Sequence, residues 1–183
     1  MTQYILSNKE MAKADLLTIE SGISSLDLMF NAGKKVFNNL PVQRGKRALF
    51  ICGPGNNGGD GYVAADLILK QGMEIDIYCP ISKAKESNDN LHYKQKLNKS
   101  LFVSKIRSLS NYCYVVDALF GTGLSRTMSN DLSSLVSKIN QSKLDVFSVD
   151  IPSGINGDTS AVLGEAFKAV SYTHLTLPTT VFV

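Results

Sequence analysis

The sequence Gly-Pro-Gly-Asn-Asn-Gly-Gly-Asp-Gly at positions 53–61 is the segment best suited to bind a ligand. It follows an apolar run at 48–52 and precedes a helix-like run at 62–69. Glycines let backbone N–H groups approach a ligand closely, and the N-terminus of a helix favours negative charge. The pattern predicts a phosphate-binding turn. Asn56, Asn57 and Asp60 indicate that the turn recognises more than phosphate.

This glycine-rich run differs from two common phosphate loops. It lacks the Gly-Lys-Ser/Thr ending of a Walker A loop, and its glycines at 58 and 59 depart from a Gly-x-Gly-x-x-Gly dinucleotide fingerprint. The alternative is a glycine-rich turn that binds nothing. Three polar side chains within one short loop favour the binding interpretation.

Two other polar loops follow apolar, strand-like runs. Asp117 follows the run at 112–116 and leads into a loop with two glycines, two hydroxyls and Arg126, while Asp150 follows the run at 144–149 and leads into a tight turn. Ligands of an open parallel sheet bind beyond the carboxyl ends of its strands, so the three loops are expected to converge. The alternative for each aspartate is a cap of its own loop.

The side chains of these three loops offer hard oxygen ligands. This favours an alkali or alkaline-earth cation over zinc, if any metal binds. His92 and His174 are isolated in the sequence. Cys52, Cys79 and Cys113 lie in strand-like segments and are interpreted as small buried hydrophobes in a reducing cytosol.

Helix-like and strand-like segments alternate along the chain. Ser7 and Glu10 form a capping-box pattern that predicts a first helix ending near Glu20. Further helices are expected at about 24–37, 59–71, 83–97 and 130–140, and strands at 48–52, 74–79, 101–103, 112–116 and 144–149. Such alternation predicts an α/β fold, a Rossmann-like three-layer sandwich whose mostly parallel sheet carries an N-terminal two-helix extension.

Composition is that of an ordinary globular protein. The 183 residues are 44% hydrophobic and 19% charged, which is consistent with one domain, and the formal net charge of +3 does not favour nucleic acid as a partner. Residues 1–10 show no secretory-signal pattern, and no apolar run is long enough to span a bilayer. A cytoplasmic protein without membrane attachment is therefore expected.

Four motifs carry a resemblance to a known family. They are Leu-Met-Phe-Asn-Ala-Gly at 28–33, the glycine-rich run at 53–61, Val-Asp-Ala-Leu-Phe-Gly-Thr-Gly at 116–123 and Val-Asp-Ile-Pro-Ser-Gly at 149–154. In order and spacing, the chain from about residue 5 to residue 169 resembles the NAD(P)H-hydrate epimerase family, the YjeF N-terminal domain.

The resemblance implies a reaction and a set of site residues. Such enzymes interconvert the R and S forms of NAD(P)H hydrated at C6 of the nicotinamide ring, and a fused or separate dehydratase then repairs the S form. A potassium ion is expected on Asn57, Asp117 and Ser153. Asp150 is the first choice for the acid–base group and Asp60 the second, whereas Asp117, committed to the cation, is the least suited. The residues expected to bind the hydrate are Asn56, Asn57, Gly58, Gly59, Asp60, Gly121, Thr122, Gly123, Leu124, Ser125, Arg126, Thr127 and Asp150.

The last fourteen residues depart from the family pattern. Positions 170–183 read Val-Ser-Tyr-Thr-His-Leu-Thr-Leu-Pro-Thr-Thr-Val-Phe-Val, which looks like translated sequencing-adapter read-through. We therefore expect the family domain to occupy 1–169, a non-native tail to occupy 170–183, and the natural protein to be longer. Whether a dehydratase domain follows it is left open.

Two other functions remain as alternatives at this point. One is a non-catalytic binding or scaffold domain of the same fold, which would be expected to lose site side chains. The other is an NAD(P)-dependent oxidoreductase, which is disfavoured because Cys79-Pro80-Ile81 stands where an acidic residue would end the second strand. A homodimer formed through the apolar faces of the N-terminal helices is also left open.

Overall fold

The computed structural model describes residues 7–81 and 84–173, which form one parallel sheet flanked by helices. The strands are β1 (Arg47–Cys52), β2 (Glu74–Tyr78), β3 (Phe102–Val103), β4 (Tyr114–Ala118), β5 (Asp145–Val149) and β6 (Ser171–Thr173). The helices are α1 (Asn8–Glu20), α2 (Ser25–Asn38), α3 (Asn56–Lys70), α4 (Asn88–Gln95) and α5 (Asn130–Asn140), with 3₁₀ turns at Lys99–Leu101 and Leu109–Asn111. The predicted α/β fold is confirmed.

The order of the strands determines where a ligand can bind. The sheet runs β3-β2-β1-β4-β5-β6, and all its strand pairs are parallel. The chain builds outwards from β1 to β3 and then returns to build the other half from β4. The strand order therefore reverses between β1 and β4, and the crevice outside their carboxyl ends is the expected binding place.

The sheet is covered on both faces, as the three-layer prediction requires. Alternate residues of β1 point to opposite sides: Phe50 packs in a cluster with Val36 and Ile68, whereas Leu49 packs in a second cluster with Val136. The first cluster lies under α2, α3 and α4, and the second lies under α5. Strands buried on both faces in this way form a rigid platform for the loops at their ends.

The two N-terminal helices begin where their caps predict. Ser7 and Glu10 form the reciprocal capping box of α1, and the Ser24 side chain caps α2. α2 packs closely on α3 through Gly33, where a Cβ atom would lie only 2.4 Å from the Cβ of Val63. No residue of α1 is buried, so this helix lies on the outside of the molecule.

Three element boundaries differ from the sequence prediction. α3 begins at Asn56 and not at 59, because the N–H groups of Gly58 and Gly59 already bond to the carbonyl of Gly55. α4 begins only at Asn88, after the Ser87 side chain caps it, and is shorter than the expected 83–97. β4 lies two residues later than expected, so it includes Asp117.

The chain after residue 169 is described only at its start. The N–H of Val170 donates to the carbonyl of Val146 at 2.9 Å, and β6 pairs with β5. Residues 174–183, including His174, lie outside the described residues. The interpretation of 170–183 as a non-native tail stays a prediction.

Among the described residues, no helix has the length and apolar character needed to cross a membrane. All three cysteines are free; Cys52 is buried, while Cys79 and Cys113 are half-buried just outside β2 and β4. Burial raises the pKa of each of these thiols. Structural, unreactive thiols are the expected consequence.

Candidate functional site

The three polar loops meet at the carboxyl ends of β1, β4 and β5. The N–H of Gly53 donates to the carbonyl of Ala118 at 2.9 Å, and a Cβ atom on Gly53 would lie 1.9 Å from the carbonyl oxygen of Leu119. The N–H of Phe120 donates to the hydroxyl of Ser153 at 2.8 Å. The predicted convergence of the loops is therefore present, with backbone contacts between neighbouring loops.

A buried carboxyl group lies beneath this junction. Asp117 is fully buried, and its two oxygens accept hydrogen bonds from four donors. These are the N–H of Ser153 (2.8 Å), the hydroxyl of Ser153 (2.6 Å), the hydroxyl of Ser148 (2.8 Å) and the N–H of Leu119 (3.2 Å). Burial raises the pKa of Asp117 to about 6, although these four hydrogen bonds act in the opposite direction. The group is ionised at neutral pH.

Asp150 is held in an unusual backbone conformation. Its φ of 64° lies in the left-handed region, which side chains other than glycine rarely adopt. The N–H of Thr122 donates to its Oδ2 at 2.8 Å. A Cβ atom on Gly121 would lie 2.6 Å from that same oxygen, so only glycine leaves the carboxyl group in place. The second and third loops therefore position Asp150 jointly.

Asn57 brings the first loop to the same place. Its Oδ1 would lie 3.2 Å from a Cβ atom on Gly121, and its Nδ2 is buried without a hydrogen-bond partner within the described part of the chain. A buried, unpartnered amide indicates that this side chain has a partner that the protein itself does not supply.

Asn90 on α4 shapes the first loop and was missed by the sequence analysis. Its buried side chain donates to the carbonyls of Gly53 (3.1 Å) and Gly55 (2.7 Å). Asn56, at the start of α3, accepts a hydrogen bond of 2.7 Å from the hydroxyl of Ser87. α4 therefore fixes the conformation of the turn through its carbonyl groups.

Asp60 is the second buried carboxyl group of the site. It is only 7% exposed and lies in the second turn of α3. Burial, followed by the charges of Asp150 and Asp15, raises the pKa of Asp60 well above its ordinary value. Asp60 therefore retains its proton under conditions in which an ordinary aspartate has lost it.

The first helix supplies two site residues that the sequence analysis did not name. The side chain of Asn8 donates to the carbonyl of Thr122 at 2.8 Å, and its N–H donates to Asp158 at 3.0 Å. Asp15 lies within electrostatic reach of both Asp150 and Asp60. The capping pattern identified Asn8 only as the start of a helix, and no local signal pointed to Asp15.

The loop at 121–127 has one buried residue, and most of its other residues are exposed. Leu124 belongs to the core beneath α5, whereas Gly123, Ser125, Arg126 and Thr127 are exposed. No ion pair or hydrogen bond engages the Arg126 guanidinium within the described residues. The predicted role of Arg126 in binding an anion stays a prediction. Two shallow cavities elsewhere, one beside Ile106 and one beside Phe30, include none of the predicted site residues.

The donor chemistry bears on the expected cation. No group of three His, Cys, Asp or Glu side chains in the described residues is placed to hold a metal ion. An alkali cation does not need such a group, because amide, hydroxyl and carboxylate oxygens suit it. Asn57, Asp117 and Ser153 offer these three oxygen types; the unpartnered atom of Asn57 is its amide nitrogen, a donor, which suits a hydrogen-bond acceptor and not a cation.

Sequence comparison assigns the chain to a known family. The model of the family described as YjeF-related protein N-terminus matches residues 25–180, and the chain belongs to that family. An NAD(P)H-hydrate epimerase of Lentilactobacillus buchneri is 35% identical, over 97% of this chain and 85% of the relative. One of Oenococcus oeni is 37% identical, over 92% of this chain and 83% of the relative.

Longer relatives and a solved structure complete the comparison. A bifunctional NAD(P)H-hydrate repair enzyme of Thermofilum pendens is 38% identical over 81% of this chain, which covers 30% of that enzyme. The crystal structure of the yeast protein ynu0 superposes with a TM-score of 0.77 at 25% identity, covering 96% of this chain and 82% of the yeast chain. The family domain therefore occurs both alone and within longer repair enzymes.

Proposed function

We infer that this protein is an isomerase that interconverts the R and S forms of hydrated NAD(P)H at C6 of the nicotinamide ring. The observation that carries this function is that the Asp150 carboxyl group and the Asn57 side chain both lie against Gly121 at one crevice, in a chain of this family. Asp60, on the same helix as Asn57, is only 7% exposed, and burial raises its pKa well above its ordinary value, while the second and third loops together position Asp150. Relatives that match most of this chain are named as epimerases.

The substrate is proposed to lie across the mouth of the three loops. The hydrate would contact the N-terminal turns of α3, residues Asn56 to Asp60, which follow β1. The loop at 121–127, with its exposed Arg126, would hold phosphate, because a guanidinium matches phosphate geometry. Asp150 would face the nicotinamide end.

The proposed chemistry uses the two carboxyl groups in different protonation states. Asp60 gives its proton to the C6 hydroxyl group, the C–O bond breaks, and water leaves as the ring nitrogen shares its electron pair with C6. Water then adds to the other face of C6 and loses a proton to Asp150. A proton-transfer group in place is worth about 10²–10⁴-fold in rate. Reversible ring opening at C6 is a second route that would use the same groups.

The cation is proposed to be potassium, held by Asn57, Asp117 and Ser153. The ionised Asp117 supplies charge, and the hydroxyl of Ser153, which lies 2.6 Å from that carboxyl group, and the Oδ1 atom of Asn57 supply further oxygens. The ion would supply positive charge beneath the substrate. Asp117 itself would then be a poor proton acceptor, because its charge is committed to the ion.

The test is epimer interconversion on purified R-NADHX and R-NADPHX, with the full chain, in KCl and in NaCl of equal ionic strength. Acceleration in KCl that is weaker in NaCl is the expected result. Acceleration that is equal in both salts would support the epimerase and contradict the potassium site. Binding of the hydrate without acceleration would indicate a scaffold that kept its pocket. No binding would contradict the function.

The cellular setting follows from the same proposal. Three free thiols suit a reducing compartment, so we place the protein in the cytoplasm. Its S product would pass to a dehydratase, either separate or fused as in the bifunctional relatives. A homodimer stays a prediction: Leu16, Leu17 and Ile23 are exposed apolar residues at and after α1, and sedimentation would measure the oligomeric state.

A further inference from the structure

The second loop begins with a tight turn whose central residues are Thr122 and Gly123. The N–H of Leu124 donates to the carbonyl of Gly121 at 3.3 Å, which closes the turn. The φ of Gly123 lies outside the left-handed region, so the turn is not of type II. Glycine can nevertheless adopt the positive φ that a type II turn requires at this position. The turn therefore has a second accessible form.

The two forms differ in the direction of one peptide group, which joins Thr122 to Gly123. In a trans peptide the C=O and the N–H point to opposite sides, so rotation of this group exchanges them. In the observed form the carbonyl of Thr122 accepts a hydrogen bond of 2.8 Å from the side chain of Asn8. The N–H of Gly123 therefore points away from Asn8. Rotation would bring that N–H towards α1 and the carbonyl to the opposite side.

Asn8 is held beside this turn by contacts other than that hydrogen bond. Its own N–H donates to Asp158 of the third loop at 3.0 Å. A Cβ atom on Gly157 would lie 2.8 Å from Oδ1 of Asn8 and 2.9 Å from the Cβ of Thr122, so only glycine leaves room for both side chains. The third loop thus places the first residue of α1 against the turn, and the Asn8 amide is positioned independently of the peptide group that it binds.

The N–H of Gly123 is available to a ligand. It makes no hydrogen bond within residues 7–81 and 84–173, Gly123 is exposed, and a Cβ atom there would meet nothing within 4 Å. Backbone N–H groups in such loops bind phosphate oxygens, and the guanidinium of Arg126, three residues further on, suits the same kind of group. The direction of the Gly123 N–H therefore matters for binding an anion.

We propose that Asn8 is a positioning residue for substrate binding: its side-chain amide holds the Thr122 carbonyl so that the N–H of Gly123 faces a phosphate group of the hydrated nucleotide. In the rotated form a carbonyl oxygen would face that group and repel it. Asp150 keeps its place in either form, because the Thr122 N–H that binds it belongs to the preceding peptide group. The proposal rests on the proposed function, which supplies the phosphate-bearing substrate.

The first test compares Asn8→Ala with Asp158→Ala, the control that removes the other hydrogen bond between α1 and the loops. In N8A, KM for R-NADHX should rise about 3- to 10-fold, the shift that one neutral hydrogen bond imposes on a two-state equilibrium. The kcat of N8A should stay near the wild-type value, because the contact between Thr122 and Asp150 remains. D158A should leave both constants unchanged. An unchanged KM in N8A, a fall of kcat alone, or an equal rise of KM in D158A would overturn the proposal.

A double variant separates rotation of the peptide group from loosening of α1. Alanine disfavours a positive φ, so Gly123→Ala opposes the rotated form by itself and leaves Asn8 with no rotation to prevent. In the G123A background, N8A should therefore change KM by much less than it does in the wild type. Equal fold-changes in the two backgrounds would mean that Asn8 acts on the helix and not on the turn, which would overturn the proposal. Since no residue of α1 is buried, N8A is expected to fold, and its Tm checks this.

The two proposals fail in different ways, because the turn can be observed by NMR without catalysis. Inorganic pyrophosphate, added to the isotope-labelled full chain, should shift the amide signal of Gly123 in the wild type, and shift it less at the same concentration in N8A. If the wild-type protein does not interconvert the epimers, the proposed function is wrong, while this titration still tests Asn8. If the protein is active but pyrophosphate leaves the Gly123 signal unmoved, or moves it equally in N8A, only the role of Asn8 is wrong.

Discussion

Ser153 donates two hydrogen bonds to Asp117, one from its N–H to Oδ2 at 2.8 Å and one from its hydroxyl to Oδ1 at 2.6 Å. The contact spans 36 residues and ties the third loop to the strand that ends in the second loop. A substitution at either residue therefore alters both the stability of the sheet at the carboxyl ends of its strands and the site proposed for the cation.

Ser153→Ala and Ser148→Ala form a matched pair of variants. Each removes one hydroxyl donor to the buried Asp117, so S148A should lower the free energy of unfolding by about 1.5–3 kcal/mol in urea, and S153A by more, because it also removes the acceptor of the Phe120 N–H. Only S153A removes a proposed cation ligand. The rise of Tm in KCl relative to NaCl should be lost in S153A and kept in S148A. Equal potassium responses in the two variants would contradict the assignment of Ser153.

Gly121→Ala should impair catalysis by displacing Asp150. The new Cβ atom would lie 2.6 Å from Oδ2 of Asp150, and the carboxyl group must move away. A displacement of this size can cost about 10²-fold in kcat. Gly123→Ala is the comparison within the same loop: a Cβ atom there meets nothing within 4 Å, so a change at this proposed binding position should affect KM and leave kcat near the wild-type value. Wild-type kcat in G121A would show that the position of Asp150 does not matter.

Asp150→Asn tests the carboxyl group without disturbing the backbone. Asparagine tolerates the left-handed φ of 64°, so the fold should be retained, while kcat should fall by about 10²–10⁴-fold. Ser160→Asn introduces the same side chain at another left-handed position, with φ of 58°, and should leave kcat unchanged. An active D150N protein would remove Asp150 from proton transfer.

Asp60 should make the free protein less stable as the pH rises. Its pKa is raised in the folded state, so above about pH 4 the unfolded chain has lost a proton that the folded chain still holds. The free energy of unfolding should therefore fall with increasing pH until Asp60 ionises in the folded protein. Asp60→Asn abolishes this contribution.

The measurement is urea unfolding of the wild type and D60N at pH 5 and pH 8. Relative to the wild type, D60N should gain free energy of unfolding between pH 5 and pH 8, because burial raises the pKa of Asp60 only in the folded chain. Asp66→Asn, which removes a carboxylate from the same helix where it pairs with Lys70, should show no such gain. Parallel pH profiles of D60N and the wild type would contradict the buried, protonated state of Asp60.

Much of the fold could be predicted because local patterns agree with it. Apolar runs, helix caps and turn glycines identify β1, β5, α1 and α2 almost residue by residue. The beginning of α3 was placed too late, since glycines at 58 and 59 weaken a helix by propensity but are required here by close contacts with Gly53 and Met29. Tertiary packing outweighs local preference at that point.

The site was predictable only where its residues lie beside a strand end. Asp117 and Asp150 follow apolar runs and were found for that reason, and the structure adds that Asp60 is only 7% exposed. Asn8, Asp15 and Asn90 act over long distances in sequence: the contact of Asn8 with Thr122 spans 114 residues. No spacing rule within the chain reveals such contacts, because they depend on how helices dock on a finished sheet.

The exposed position of α1 has a consequence for how the crevice is entered. A helix with no buried residue detaches at a lower free energy than the sheet beneath it, so it can open while the three loops keep their arrangement. Amide protons of α1 are then expected to exchange with solvent well before those of β1 and β4. A ligand that bridges the loops would slow this exchange. Ligand binding would therefore be detectable as slower exchange at the C-terminal end of α1, which the ligand does not contact.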